Sequence, residues 1–203
     1  MRKTGIIVLL LLFGYSAQAQ RINFKTFVQG DAITLTVVEN PDALNFNRKQ
    51  QIIVVGDPAT VQVNLGDQAT VVVEIDAPME YDITAQLSWS EGLSFGGLDT
   101  GVTVPFALRF AYNNTGEPTD VERRASATEV PGAFNTLTFP IRRKTTTGPP
   151  GPPPTPDHEG YVRPRAKAYL YFYGTLGPIP MGIRAGNYSG TIELSISYTD
   201  NAP

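Results

Sequence analysis

Cysteine is absent from the 203-residue chain. That excludes disulfides, thiolate metal sites, a cysteine nucleophile and a lipid-bearing cysteine. A single histidine, His158, leaves no second imidazole with which to build a metal site. It stands between Asp157 and Glu159, and adjacent residues in a loop rarely converge on one ion, so it reads as a solvated loop residue. Positive charge is sparse: the one basic run, Arg142-Arg143-Lys144, is too short for a nucleic-acid footprint and reads as solvated loop. Nucleotide, dinucleotide, serine-hydrolase and zinc-protease fingerprints are all missing. The expectation is a protein that is not an enzyme, with no catalytic residues, no cofactor and no metal. Asp57, Asp67, Asp76, Glu80 and Asp82 cluster at turns that could offer oxygen ligands to calcium. No D-x-D-x-D-G loop accompanies them, and aspartate is common in turns because it satisfies turn amides.

Long apolar runs are also lacking, apart from one at the start. Arg2 and Lys3, the apolar residues 5–13 and Ala17-Gln18-Ala19 have the layout of a signal peptide over residues 1–19. The run is too short for a stable membrane span, and no later stretch could cross a bilayer. A mature chain from Gln20 loses two positive charges, taking the formal charge from −3 to about −5. These features predict export, and one domain over residues 20–203.

What is present is β-strand pattern. Ile22, Phe24, Thr26 and Val28 alternate with polar neighbours, and Ile192, Leu194, Ile196 and Tyr198 do so more cleanly, after a turn closed by Gly190. Between them, residues 32–39, 44–46, 51–55, 59–65, 69–75, 81–89, 102–112, 134–141 and 161–176 read as strands divided by Gly, Pro, Asn and Asp. Residues 91–101 read as a loop. Pro105 predicts an edge or bulge. Trp89 falls in register with Ile83 and Leu87 and reads as core, with a sugar platform as the alternative. The aromatic run at 168–173 predicts a strand that is either covered on both faces or ambiguous in register. Residues 113–160 form an irregular insertion. Thr119-Asp120-Val121-Glu122 has capping-box spacing, predicting a short helix near 121–127, and the Pro-rich 145–159 reads as a stiff extended loop. The pattern as a whole is that of an all-β, immunoglobulin-like antiparallel sandwich.

The run Gly174-Thr175-Leu176, then Ala185-Gly186-Asn187-Tyr188-Ser189-Gly190-Thr191-Ile192 through Tyr198, resembles the ending of a bacterial secreted family. That family is related to spore-coat protein U and archaic chaperone–usher pilins, and its members end in "GGTL" followed by "aGtYsGtftVtVnY". Residues 35–46, with Pro41, Leu44 and Phe46, are similar to its opening strand and "LdFG" return, and 69–87 to the strand pair after it. The chain departs from the pattern with one glycine at Gly174, Asn47 for a frequent Gly, the insertion at 113–159 and five residues after Tyr198. The resemblance implies a pilin-like sandwich completed by strand addition. Ile22, Phe24, Thr26 and Val28 would be the donor strand, and Ile192, Leu194, Ile196 and Tyr198 would border the acceptor groove. The expected role is a structural or adhesive surface subunit, with self-association or an envelope protein as partner. Two alternatives stay open. Residues 20–28 can pair within their own domain through Gln29-Gly30-Asp31. The protein can also be a monomeric binding module for glycan or protein, using Trp89, Tyr161, Tyr169, Tyr171 and Tyr173.

Overall fold

The computed structural model describes residues 20–29, 33–41, 43–46, 59–79, 81–96, 103–132, 134–143, 164–179, 183 and 186–199. The expected leader, the 51–55 strand, the Pro-rich 145–159, His158 and Tyr161 lie outside the described residues.

Among the described residues twelve strands and one short helix form. In chain order they are β1 Arg21–Gln29, β2 Thr34–Glu39, β3 Ala43–Asn45, β4 Val61–Val63, β5 Val71–Pro78 and β6 Asp82–Trp89. Then follow β7 Gly92–Phe95, β8 Thr103–Asn113, α1 Asp120–Ala125, β9 Thr128–Val130, β10 Thr136–Pro140, β11 Arg165–Leu176 and β12 Tyr188–Thr199. Hydrogen bonding links them in the order β10-β6-β12-β7-β8-β11-β5-β2, with β1 and β3 added beside β12, β4 beside β11 and β9 beside β8. The domain is almost all-β, built on one curled half-barrel sheet.

The sheet is mixed, not antiparallel throughout. β1 runs parallel to β12, while the other ladders are antiparallel. Parallel neighbours need a long crossover, and here nearly the whole chain separates the two strands, so no hairpin dictates their direction. β1 and β2, though consecutive in the chain, do not pair with each other: β2 pairs with β5, on the other arm of the curl, and residues 30 and 31 of the expected turn lie outside the described residues.

The curl is made where β8 changes neighbours. Thr103–Pro105 pair with β7, and Phe106–Asn113 pair with β11. Pro105 sits at that change, paired with β7 alone, where a missing N–H is tolerated; of the expected edge or bulge it takes a local edge, with no register shift at this point. The two arms then face each other across one core. Phe24 of β1 lies 5.0 Å from Phe172 of β11, and Phe46 meets Phe106 edge-on at 5.8 Å. Ile192, Leu194, Ile196, Leu170, Phe172, Phe110 and Val73 are all buried between them.

β11 is covered on both faces, one of the two readings that its unbroken apolar run allows. Leu170 and Phe172 point inward, while Tyr169, Tyr171 and Tyr173 lie beneath arginines on the outer face. Gly174 continues this strand because a Cβ there would collide with the carbonyl oxygen of Ala107 on β8. Trp89 packs half-buried against the core. Gly190 lies inside β12 opposite Ile22 and does not close a turn before it.

Two strands form where loops were expected. β7 takes Gly92–Phe95 from the glycine-rich 91–101, burying only Leu93 fully, and β9 takes three residues from the irregular insertion. Each is defined by pairing with β8, a long-range contact that alternation in its own few residues does not encode. α1 carries the expected capping box: Thr119 Oγ1 accepts from the Glu122 N–H at 3.3 Å, and the Thr119 N–H donates to Glu122 Oε2 at 3.3 Å. It buries none of its residues. Polar anchors hold it instead. Asn113 donates to the Arg123 carbonyl and to Ser126 Oγ, at 3.0 and 2.9 Å.

Candidate functional site

The residues singled out for strand addition meet along one seam. In the parallel register Ile22 lies opposite Gly190, Phe24 opposite Ile192, Thr26 opposite Leu194 and Val28 opposite Ile196. Lys25 and Glu193 face each other on the outer side with an ion pair of 3.3 Å. Both are well exposed, so this pair adds little stability. Tyr198, beyond the end of β1, stacks on Tyr81 at 4.8 Å.

Burial along the seam is uneven. Ile192, Leu194 and Ile196 are all fully buried. The inward row of β1 runs from Ile22, 1% exposed, through half-buried Phe24 to exposed Thr26 and to Val28 at 44%. The far edge of β1 is equally uneven, since β3 pairs only with Arg21, Ile22 and Asn23. From Phe24 to Gln29 that edge has no ladder partner among the described residues. Phe27, on the outward row, is 53% exposed. An open edge beside exposed apolar side chains is the surface that strand addition uses and that isolated domains avoid.

The aromatic candidates are placed differently. Tyr169, Tyr171 and Tyr173 are 8%, 0% and 2% exposed, because arginines lie over each ring. Arg123 is 4.1 Å from the Tyr169 ring centre, Arg124 5.4 Å from that of Tyr171 and Arg109 5.4 Å from that of Tyr173. Guanidinium stacking of this kind is a favourable cation–π contact and occupies the outer faces of the rings. Burial pushes the Tyr171 hydroxyl up to about 12, with Asp120's charge adding to it. Burial, with Glu129 alongside, likewise pushes Tyr173 up to about 12.

Arg124 ties α1 to the sheet. It pairs with Asp120 at 2.6 Å and Glu39 of β2 at 2.7 Å, and it also donates to the Leu65 carbonyl. Asp76 pairs with Arg165 at 2.7 Å, and Asp67 Oδ2 accepts from the Asn64 N–H of its own turn at 2.6 Å. Two of the acidic turn residues thus have structural partners. Among the described residues, no three His, Cys, Asp or Glu side chains are grouped to hold a metal.

One feature escaped the sequence reading. A cleft of about 380 Å³ opens beside α1, lined by Arg123, Arg142, Arg165, Lys167, Glu117 and Tyr169 among others. Lys167 bonds Glu74 at 2.7 Å, and Tyr169 donates to the same carboxylate at 2.9 Å. Burial pushes the Glu74 carboxyl up, but the bonds from Lys167 and Tyr169 outweigh it and hold it below its usual value. The lining comes from four separate stretches of chain, so no local spacing announces it.

No protein-family model matches the chain, and no curated protein matches it in sequence.

Proposed function

We propose that the half-barrel is an immunoglobulin-like, pilin-like sandwich in which β1 is an exchangeable complementing strand. The protein is then an exported, non-enzymatic structural or adhesive subunit of a Gram-negative cell surface, assembling by strand addition between copies. The observation that carries this reading is the β1–β12 seam. Nine residues of β1 run in register along β12, yet only three are paired on the other edge. A strand held mainly by one neighbour can leave its own domain and make the same contacts in another copy at little net cost. The inward row supports this, because it seats firmly at Ile22 and loosens toward Val28, which is where a displacing strand would gain its first hold. The resemblance of the 174–198 run to pilin-related endings points the same way.

A monomeric binding module that uses the tyrosines as platforms has less support, since the rings of Tyr169, Tyr171 and Tyr173 are already covered. The test is removal of residues 20–29. The shortened chain should be unstable alone and recover its fold when a peptide of those residues is added. A shortened chain as soluble and stable as the parent would sink the proposal.

A further inference from the structure

The cleft beside α1 has unused cationic capacity. Its lining carries four cations, Arg123, Arg142, Arg165 and Lys167, against two carboxylates, Asp76 and Glu117. Arg165 and Lys167 are neutralised by Asp76 and Glu74. Arg142 has no hydrogen-bond or ion-pair partner among the described residues, and its guanidinium packs on Gly116, where a Cβ would lie 3.1 Å from Cζ. Gly116 has φ +81, a conformation open to glycine, so its missing side chain lets the backbone turn against that guanidinium. Arg123 is held still by other means: its Nη1 donates to the Pro118 carbonyl at 3.1 Å, its Cζ lies 4.1 Å from the Tyr169 ring centre, and its Nη2 makes a long ion pair of 3.7 Å with Asp120. Its Nε is buried on the side of the Tyr171 hydroxyl, which leaves the Nη groups as the part of Arg123 open to the cleft.

Two pre-positioned guanidiniums suit a planar or tetrahedral oxyanion, which accepts paired N–H bonds. The cleft is larger than a bare ion needs and falls within the range of small-molecule sites. We infer that this cleft binds a small oxyanion-bearing ligand, with its carboxylate, sulfate or phosphate group received by Arg142 and Arg123. Glu117, half-buried and without an ion-pair partner among the described residues, lines the same space and limits how much negative charge is accepted. This site is independent of the β1–β12 seam.

The experiment is a calorimetric titration of the full chain with glucuronate, with inorganic phosphate and with neutral glucose as control. Glucuronate, phosphate or both should bind and glucose should not. Binding by phosphate as well as glucuronate marks the oxyanion alone as the recognised group, whereas binding by glucuronate only marks a sugar carboxylate. Arg142→Gln should weaken binding about tenfold, the worth of one charge-assisted contact, and Glu117→Gln should tighten it about threefold. Thermal melts of Arg142→Gln should match the parent, since that side chain is exposed and makes no hydrogen bond or ion pair among the described residues. No binding of either anion at about 10 mM, or binding indifferent to Arg142→Gln, would overturn the inference.

Discussion

Val28 and Ile196 are direct neighbours in the parallel ladder, yet Ile196 is fully buried while Val28 is 44% exposed. One strand of the pair is embedded in the core along its length, and the other is embedded only at its start. Ile22→Ala should therefore cost about 2–4 kcal/mol, the usual penalty for truncating a buried aliphatic side chain. Val28→Ala should cost well under about 1 kcal/mol, since its side chain has little burial to lose. Chemical denaturation of the two variants checks the contrast. Amide exchange should show the same gradient, with protection falling from Ile22 to Val28.

Gly174→Ala should destabilise severely, because the new methyl group meets the Ala107 carbonyl within the paired β8–β11 ladder. A loss of about 2 kcal/mol or more is expected, in the range of overpacked cores. Thermal melting checks it.

Arg124→Ala should loosen α1 from β2 and from the 65–67 turn. Arg124 is 12% exposed and its charge is shared between Asp120 and Glu39. Losing one charged hydrogen-bonding hub of this kind costs about 2 kcal/mol. Lysine would restore charge without the planar fork and should recover only part of the loss. Amide exchange in 120–126 reports the loosening directly.

Stability should fall at both extremes of pH. Tyr171 and Tyr173 have folded values raised from 10.0 to about 12. Their contribution is intact below pH 10 and is lost as the pH climbs toward 12, so ultraviolet titration should show two late, cooperative tyrosines. Glu74 is shifted downward from 4.5, so its contribution is present above that pH and is lost as the pH falls through the lower folded value. Glu74→Gln should flatten the acid limb of a melting-temperature profile.

How much of this the sequence discloses depends on the range of the interaction. Alternation marks β12 and β1, and the capping box marks α1, because those signals sit within a few neighbouring residues. β7 and β9 leave almost no such mark, since three or four residues paired on β8 carry too little pattern. The parallel direction of β1 was hidden for the same reason: alternation reports which face is buried and says nothing of the neighbour's direction. Double cover of the β11 tyrosines was one of two legible readings, but cover by arginines from α1 and β8 was not legible. The cleft is legible only after folding has brought 116–123, 142 and 165–169 together.

The central claim, that β1 can complete a second copy of the domain, is tested most directly by cross-linking across the seam. The chain has no cysteine, so a pair placed at Lys25 and Glu193 reports on that register alone. Both side chains are exposed, and neighbouring strand positions lie within disulfide reach. Lys25→Cys protein and Glu193→Cys protein, unfolded together and refolded under oxidation, should form a disulfide between the two different chains if β1 inserts in trans. A double variant, Lys25→Cys with Glu193→Cys, should then give linked multimers whose size grows with concentration. A bond found only within single chains of the double variant, with none between the mixed single variants at any concentration, would contradict the account.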